Sequence, residues 1–197
     1  MHPMLLLSIA SLTVILERAW AYSKARVNPI TVVNEVRETL LNKKSVKASL
    51  EVCEKHGNKP VPNVVKSALL KFDDNADEVR NVLENAAVSE VARLEKFLPV
   101  LATVATIAPL FGFLGTVTGM IKSFAAIAQY GMTNPNLVAK GISEALVTTA
   151  FGLFIAVCSQ PFYNIYSAMT TKFIREMEGT ANILLETHTE FHNLRKE

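Results

Sequence analysis

The chain has 197 residues, half of them hydrophobic, with a formal net charge of +2 and a mean hydropathy of +0.25. That length allows one or two ordinary domains, and so small a charge, with no basic cluster interleaved with aromatics, excludes nucleic acid as a partner. Charges of both signs are dense from Lys24 to Lys96, yet none occurs from Phe97 to Ile121. This is the pattern of a membrane protein with a water-exposed part, not of a soluble globule.

A spanning helix needs about 20 mostly apolar residues. The first such stretch runs from His2 to Tyr22 and ends in Glu17-Arg18-Ala-Trp20-Ala-Tyr22. A signal peptide is the rival reading, but it carries positive charge before its apolar run. Here Arg18, Lys24 and Arg26 follow the run instead. An uncleaved anchor fits better, its N-terminus outside and Trp20 and Tyr22 at the inner interface.

Residues 23–96 read as a helical cytoplasmic domain. Asn28-Pro29 is a cap followed by proline at the first helical position, opening a helix over Ile30 to Leu41. Ser45 caps a second helix that ends at His56-Gly57. Asn58 to Pro62 is a turn or extended break, followed by a short helix from Val61 to Phe72. Asp73 to Asp77 then opens a long helix with acids in its first turn, suited to the helix dipole. It is expected to run straight into the second span, with Pro99 as its first interruption and kinks at Pro99 and Pro109.

The second span covers 97–128 and the third 141–166, with a short outer loop at 129–140 between them. Phe162, Tyr163 and Tyr166 close the third span as an aromatic belt, and the tail 167–197 continues it as a helix. Thirteen of the twenty Lys and Arg lie between Lys24 and Lys96, and Lys172, Arg175, Arg195 and Lys196 lie in the tail. By the positive-inside rule the protein is an all-α, three-span membrane protein, N-terminus out and C-terminus in.

Enzyme chemistry finds no footing. There is no CxxC, HExxH or Gly-rich phosphate loop, no nucleophile–base pair and no implied cofactor. Cys53 and Cys158 fall in regions of opposite character. His188 and His192 stand four apart on the tail helix, a spacing that can bind a metal but better suits exposed helix residues.

The residues with chemical interest lie in spans two and three. Gly115 and Gly119 form a small-xxx-small pair with Gly112 close to the same face, the means by which helix backbones approach closely in lipid. Ala145, Thr149, Gly152 and Ala156 make a second small stripe. On its edge stand Thr148 and Glu144, the only formal charge between Lys140 and Lys172. A carboxylate costs about 2.5–3.5 kcal/mol near a bilayer centre. Two readings stay open. Glu144, Thr148 and the other hydroxyls line a water-filled path, or Glu144 meets water at the outer end of its span. Depth does not separate them, because the 22 residues from Glu144 to Tyr166 cover about 33 Å, the full hydrocarbon thickness.

The runs Ala108-Pro-Leu-Phe-Gly-Phe-Leu-Gly-Thr-Val-Thr-Gly-Met-Ile-Lys-Ser-Phe124 and Gly141-Ile-Ser-Glu-Ala-Leu-Val-Thr-Thr-Ala-Phe-Gly152 resemble the MotA/TolQ/ExbB proton-channel family. The upstream Leu-Glu-Arg-Ala-Trp20 and the Asn85 to Glu95 approach fit as well, so the resemblance covers essentially the whole chain. Three spans match the ExbB/TolQ branch. The resemblance implies a homopentamer in the bacterial inner membrane. Its pore would hold two single-span ExbD- or TolR-like partners, each with an essential aspartate, and would drive a TonB- or TolA-like protein. By motif, Glu144 matches the family's span-three glutamate. Thr116 and Thr149 match threonines that face the partner aspartate, and Thr148 replaces a residue often small and apolar. Pro109, Gly112, Gly115, Gly119, Ala145, Gly152 and Ala156 are assigned to helix packing, and membrane lipids are expected as partners. The short stretch before span one departs from many relatives and puts any periplasmic contact there in doubt. The rival function is a structural membrane scaffold that packs and docks helices without conducting ions. A substrate-binding transporter is a weaker third, since three spans leave little room for an inverted repeat.

Overall fold

The computed structural model describes residues 2–130 and 135–194, all of them in helices, turns or short links with no strand. The loop expected at 129–140 lies partly outside those residues, as do Arg195 and Lys196. Among the described residues seven helices follow in chain order: α1 (His2–Ala25), α2 (Pro29–Lys43), α3 (Val46–Lys55), α4 (Pro60–Leu69), α5 (Ala76–Glu95), α6 (Leu98–Tyr130) and α7 (Pro135–Leu194). Three of the helices are long and apolar enough to cross a membrane. The chain forms two compact units, residues 1–19 with 97–166 and residues 20–96 with 167–197.

In the second unit local chemistry sets the helix ends. The Asn28 side chain accepts a hydrogen bond from Ile30 N ahead of Pro29, and Ser45 accepts from Ala48 N. Gly57 takes φ +76 just past α3, the left-handed conformation glycine adopts without steric cost. Asn75 caps α5, whose first turn carries Asp77 and Glu78. Val32, Val36, Leu40, Val64, Leu83 and Leu184 are buried in one apolar core shared by α2, α4, α5 and α7.

Four expectations need correction here. Pro60 opens α4 as a helical residue, not part of a break, because a proline at N1 surrenders an N–H that the first turn leaves unpaired anyway. The helix before span two stops at Glu95, and α6 starts afresh at Leu98. A continuous helix would drive the Pro99 ring into the Glu95 carbonyl and leave that carbonyl without its donor. The interruption therefore falls ahead of the proline. Tyr22 does not stand free as a belt residue: it is 2% exposed, its hydroxyl bonded to Leu94 O at 3.2 Å and Thr170 Oγ1 at 2.6 Å. His188 is not an exposed tail residue but 5% exposed. Its Nε2 meets Asp74 O at 3.1 Å, while His192 Nε2 meets Phe72 O at 3.2 Å. A carbonyl only accepts, so each ring nitrogen donates, and the pair anchors the tail to the turn that follows α4.

Candidate functional site

In the first unit α1 packs through Met4, against Val104, Ala108 and Ile155. The Ser11 and Ser159 hydroxyls bond at 2.7 Å. The Tyr166 hydroxyl donates to Ile15 O at 2.8 Å, which buries this member of the expected aromatic belt, whereas Phe162 stays exposed. The buried Arg18 pairs with Glu17 and lies over the Phe97 ring, 5.3 Å from its centroid.

The glycines of α6 and the small stripe of α7 meet each other within one chain. A Cβ on Gly112 would stand 3.0 Å from Thr149 Cα, and one on Gly115 2.5 Å from Thr148 Cγ2. One on Gly119 would stand 2.6 Å from Ala145 Cβ, and one on Gly152 2.6 Å from Ala108 O. At 2.5–2.6 Å a Cβ would force a neighbour to shift, and at 3.0 Å it would be tighter than ordinary contact. Without glycine these two helices could not approach as they do, which is the role small residues play where lipid supplies no hydrophobic drive. Pro109 and Ala156 are half-buried.

This crossing sorts the candidate residues. Thr149 lies in the helix–helix contact, and its hydroxyl donates across it to Gly112 O at 2.9 Å. Thr148 donates to Glu144 O at 2.7 Å, and Thr116 to Phe113 O at 2.7 Å, each within its own helix. Glu144 and Thr148 come together in a cleft of about 350 Å³ between α6 and α7, lined also by Thr118, Lys122, Ser143 and Val147. Neither Thr116 nor Thr149 is in that lining. Lys122 was legible in the sequence as the lone charge of α6, but only the fold brings it to the cleft of Glu144. Thr118 and Ser143 carried no separate signal among the other hydroxyls of these runs. Next to the cleft, the buried Ser123 hydroxyl lies 3.1 Å from Gly119 O and 3.2 Å from Val138 O, tying the C-terminal part of α6 to the start of α7.

The two free cysteines have opposite surroundings. Cys158 is exposed on α7, whereas burial, only partly opposed by the nearby Lys66, pushes the Cys53 thiol up to about 11. No group of three or more metal-ligating side chains occurs among the described residues.

Fold and cleft together define a class: an all-helical protein with three helices of spanning length, two of them crossing through glycines beside a hydroxyl-lined cleft that holds a carboxylate. Residues 56–179 match the MotA/TolQ/ExbB proton channel family, and the chain belongs to that family. It is 29% identical over 198 residues to an ExbB-like biopolymer transport protein of Synechocystis (ExbB-like 3), covering 99% of this chain and 93% of that one. A second Synechocystis protein, ExbB-like 1, is 34% identical across 80% of this chain and 62% of its own length. The Tol-Pal system protein TolQ of Pseudomonas aeruginosa is 40% identical over 96 residues, 49% of this chain and 42% of TolQ. These relatives place the chain in the ExbB/TolQ branch.

Proposed function

We propose that this protein is the proton-conducting stator subunit of an energy-transducing complex in the bacterial inner membrane. It would be oriented N-terminus out and C-terminus in, with residues 23–96 and the tail in the cytoplasm. The observation that carries this reading is the glycine-packed α6–α7 crossing, which gathers Glu144 and Thr148 in one polar cleft between largely apolar stretches of the two helices. A charge kept in such a segment is expensive unless it meets water or protein and has a task there. The family and the ExbB and TolQ relatives support the same reading.

In this mechanism the chain supplies the track and a single-span ExbD- or TolR-like partner supplies the titrating acid. Glu144, Thr148, Thr149 and Thr116 lie along the path, and a TonB- or TolA-like protein receives the work. One elementary charge crossing the membrane potential releases about 2.3 kcal/mol per 100 mV. That is enough to bias a helix between two arrangements if protonation changes its contacts.

The test is to extract the complex gently from its own membrane, measure its native mass and reconstitute it in liposomes. Five copies with two copies of a small single-span protein bearing a membrane acid, passing protons under an imposed potential, are expected. A monomer or dimer with no such partner and no proton flux would refute the proposal.

A further inference from the structure

Two lone charges share one cleft. Lys122 is the only formal charge of α6, and Glu144 the only one in α7 between Lys140 and Lys172. They lie 22 positions apart in the chain, yet the fold sets both in the lining of the same cleft of about 350 Å³. They are the two charged members of that lining. Its other polar members, Thr118, Ser143 and Thr148, are hydroxyls.

A carboxylate among hydroxyl oxygens is a donor set that suits hard cations, which take oxygen ligands. On its own this cleft would carry a charge of −1 and would concentrate sodium as readily as it admits protons. Lys122 changes that balance. Its ammonium brings the formal charge of the lining to zero, so that an arriving metal cation meets repulsion in the cleft as well as the carboxylate. A proton is less impeded, because it forms a covalent O–H bond with the carboxylate and passes along water by exchange, without needing a cation-sized vacancy. We propose that Lys122 sets the ion selectivity of the cleft, its positive charge in the lining shared with Glu144 excluding sodium while protons pass. This inference rests on the proton-conduction reading above and adds to it the residue that decides which ion is carried.

The experiment uses the complete complex with its co-purified partner, reconstituted in liposomes that enclose a proton-sensitive and a sodium-sensitive dye. Wild type, Lys122→Gln and Lys122→Arg are compared under the same imposed potential. Wild type is expected to pass protons, with sodium at the level of empty liposomes. In Lys122→Gln the ratio of sodium to proton flux should rise about ten-fold or more, the scale on which one unbalanced charge in a cleft concentrates counter-ions. Lys122→Arg, which keeps the charge, should restore the wild-type ratio. Lys122→Met, of matching length, gives the same readout if the glutamine variant does not assemble. A conducting Lys122→Gln complex with the wild-type ratio overturns the inference and leaves proton conduction standing. So does an equal sodium leak in the glutamine and arginine variants, which would assign the effect to shape. Wild-type complexes that pass no protons would instead sink the proposed function, and this inference with it.

Discussion

Adding one methyl group at Gly119 should loosen the crossing that builds the cleft. A Cβ there would lie 2.6 Å from Ala145 Cβ, 2.9 Å from Gly141 O and 3.2 Å from Ala145 Cα. Carbon pairs are at their optimum near 3.5–4.0 Å, so Gly119→Ala needs about 1 Å of additional room. The helices cannot simply part, because Thr149 bonds to Gly112 O at 2.9 Å and Ser123 reaches Val138 O at 3.2 Å on either side of the contact. Overpacking of this kind costs about 1–3 kcal/mol. Ala145→Gly removes the nearest obstructing atom and leaves the Gly141 carbonyl, so the double variant should recover part of the loss. A coupling of at least about 1 kcal/mol is expected for residues in such contact. The assay is reversible unfolding in mixed micelles at increasing SDS fraction, for wild type, both single variants and the double variant. A Gly119→Ala protein within about 0.5 kcal/mol of wild type, the range of an ordinary surface change, would refute the reasoning. So would strict additivity of the two changes.

Further outcomes separate stability from function. Glu144 is exposed in the cleft, so Glu144→Ala should leave the SDS unfolding midpoint within about 0.5 kcal/mol of wild type while lowering proton flux in liposomes. Full flux in that variant would reduce Glu144 to a surface acid. Thr149→Val deletes one bond between helices and should cost about 0.6 kcal/mol, at most about 1.7, yet abolish proton flux in an assembled complex. An assembled Thr149→Val complex that conducts normally would remove Thr149 from the path. Cys53, 2% exposed and with its thiol pushed up to about 11 from an ordinary 9.0, holds about 100-fold less thiolate at pH 8 than an unperturbed cysteine. Iodoacetamide should therefore label Cys53 in the folded protein at least that much more slowly than in the SDS-unfolded chain. The protection should fade as pH rises from 9 towards 11. Equal labelling rates at pH 8, read by peptide mass, would contradict the burial.

What the sequence made legible was local. Asn28-Pro29, Ser45 and Gly57 mark helix ends because caps act through the nearest backbone groups, and the charge-free stretches of α6 and α7 announce themselves by length. The residues that escaped are those whose surroundings come from another helix. Tyr22 carries the same signal whether it floats at an interface or bonds to Leu94 and Thr170. His188 and His192 look like an exposed pair until the turn after α4 presents its carbonyls to them. The stop at Glu95 lies four residues ahead of the proline that causes it, at the carbonyl its ring would meet. The glycine stripe was legible as a packing face, but not its partner, and so the place of Thr149 inside the α6–α7 contact was missed.

That place bears on how the proposed track works. The family resemblance sets threonines facing a partner acid, and an ionised acid there would need their hydroxyls as donors. In the structure Thr116, Thr148 and Thr149 donate to the carbonyls of Phe113, Glu144 and Gly112 at 2.7, 2.7 and 2.9 Å. A carbonyl has no proton to give, so the direction of each bond is fixed and the hydroxyl lone pairs are what remain to offer. A partner carboxyl arriving protonated finds acceptors ready. An ionised one would have to turn a hydroxyl away from its carbonyl, giving up a bond worth about 0.5–1.5 kcal/mol each time. The proposed track therefore favours passage of the acid in its neutral form, with protonation completed before it reaches Thr149. Serine at position 149 keeps the bond to Gly112 and the lone pairs, and loses only a methyl. Thr149→Ser should sustain proton flux where Thr149→Val does not. If serine fails as completely as valine, the methyl group and the shape of the contact matter there, and the lone-pair argument is wrong.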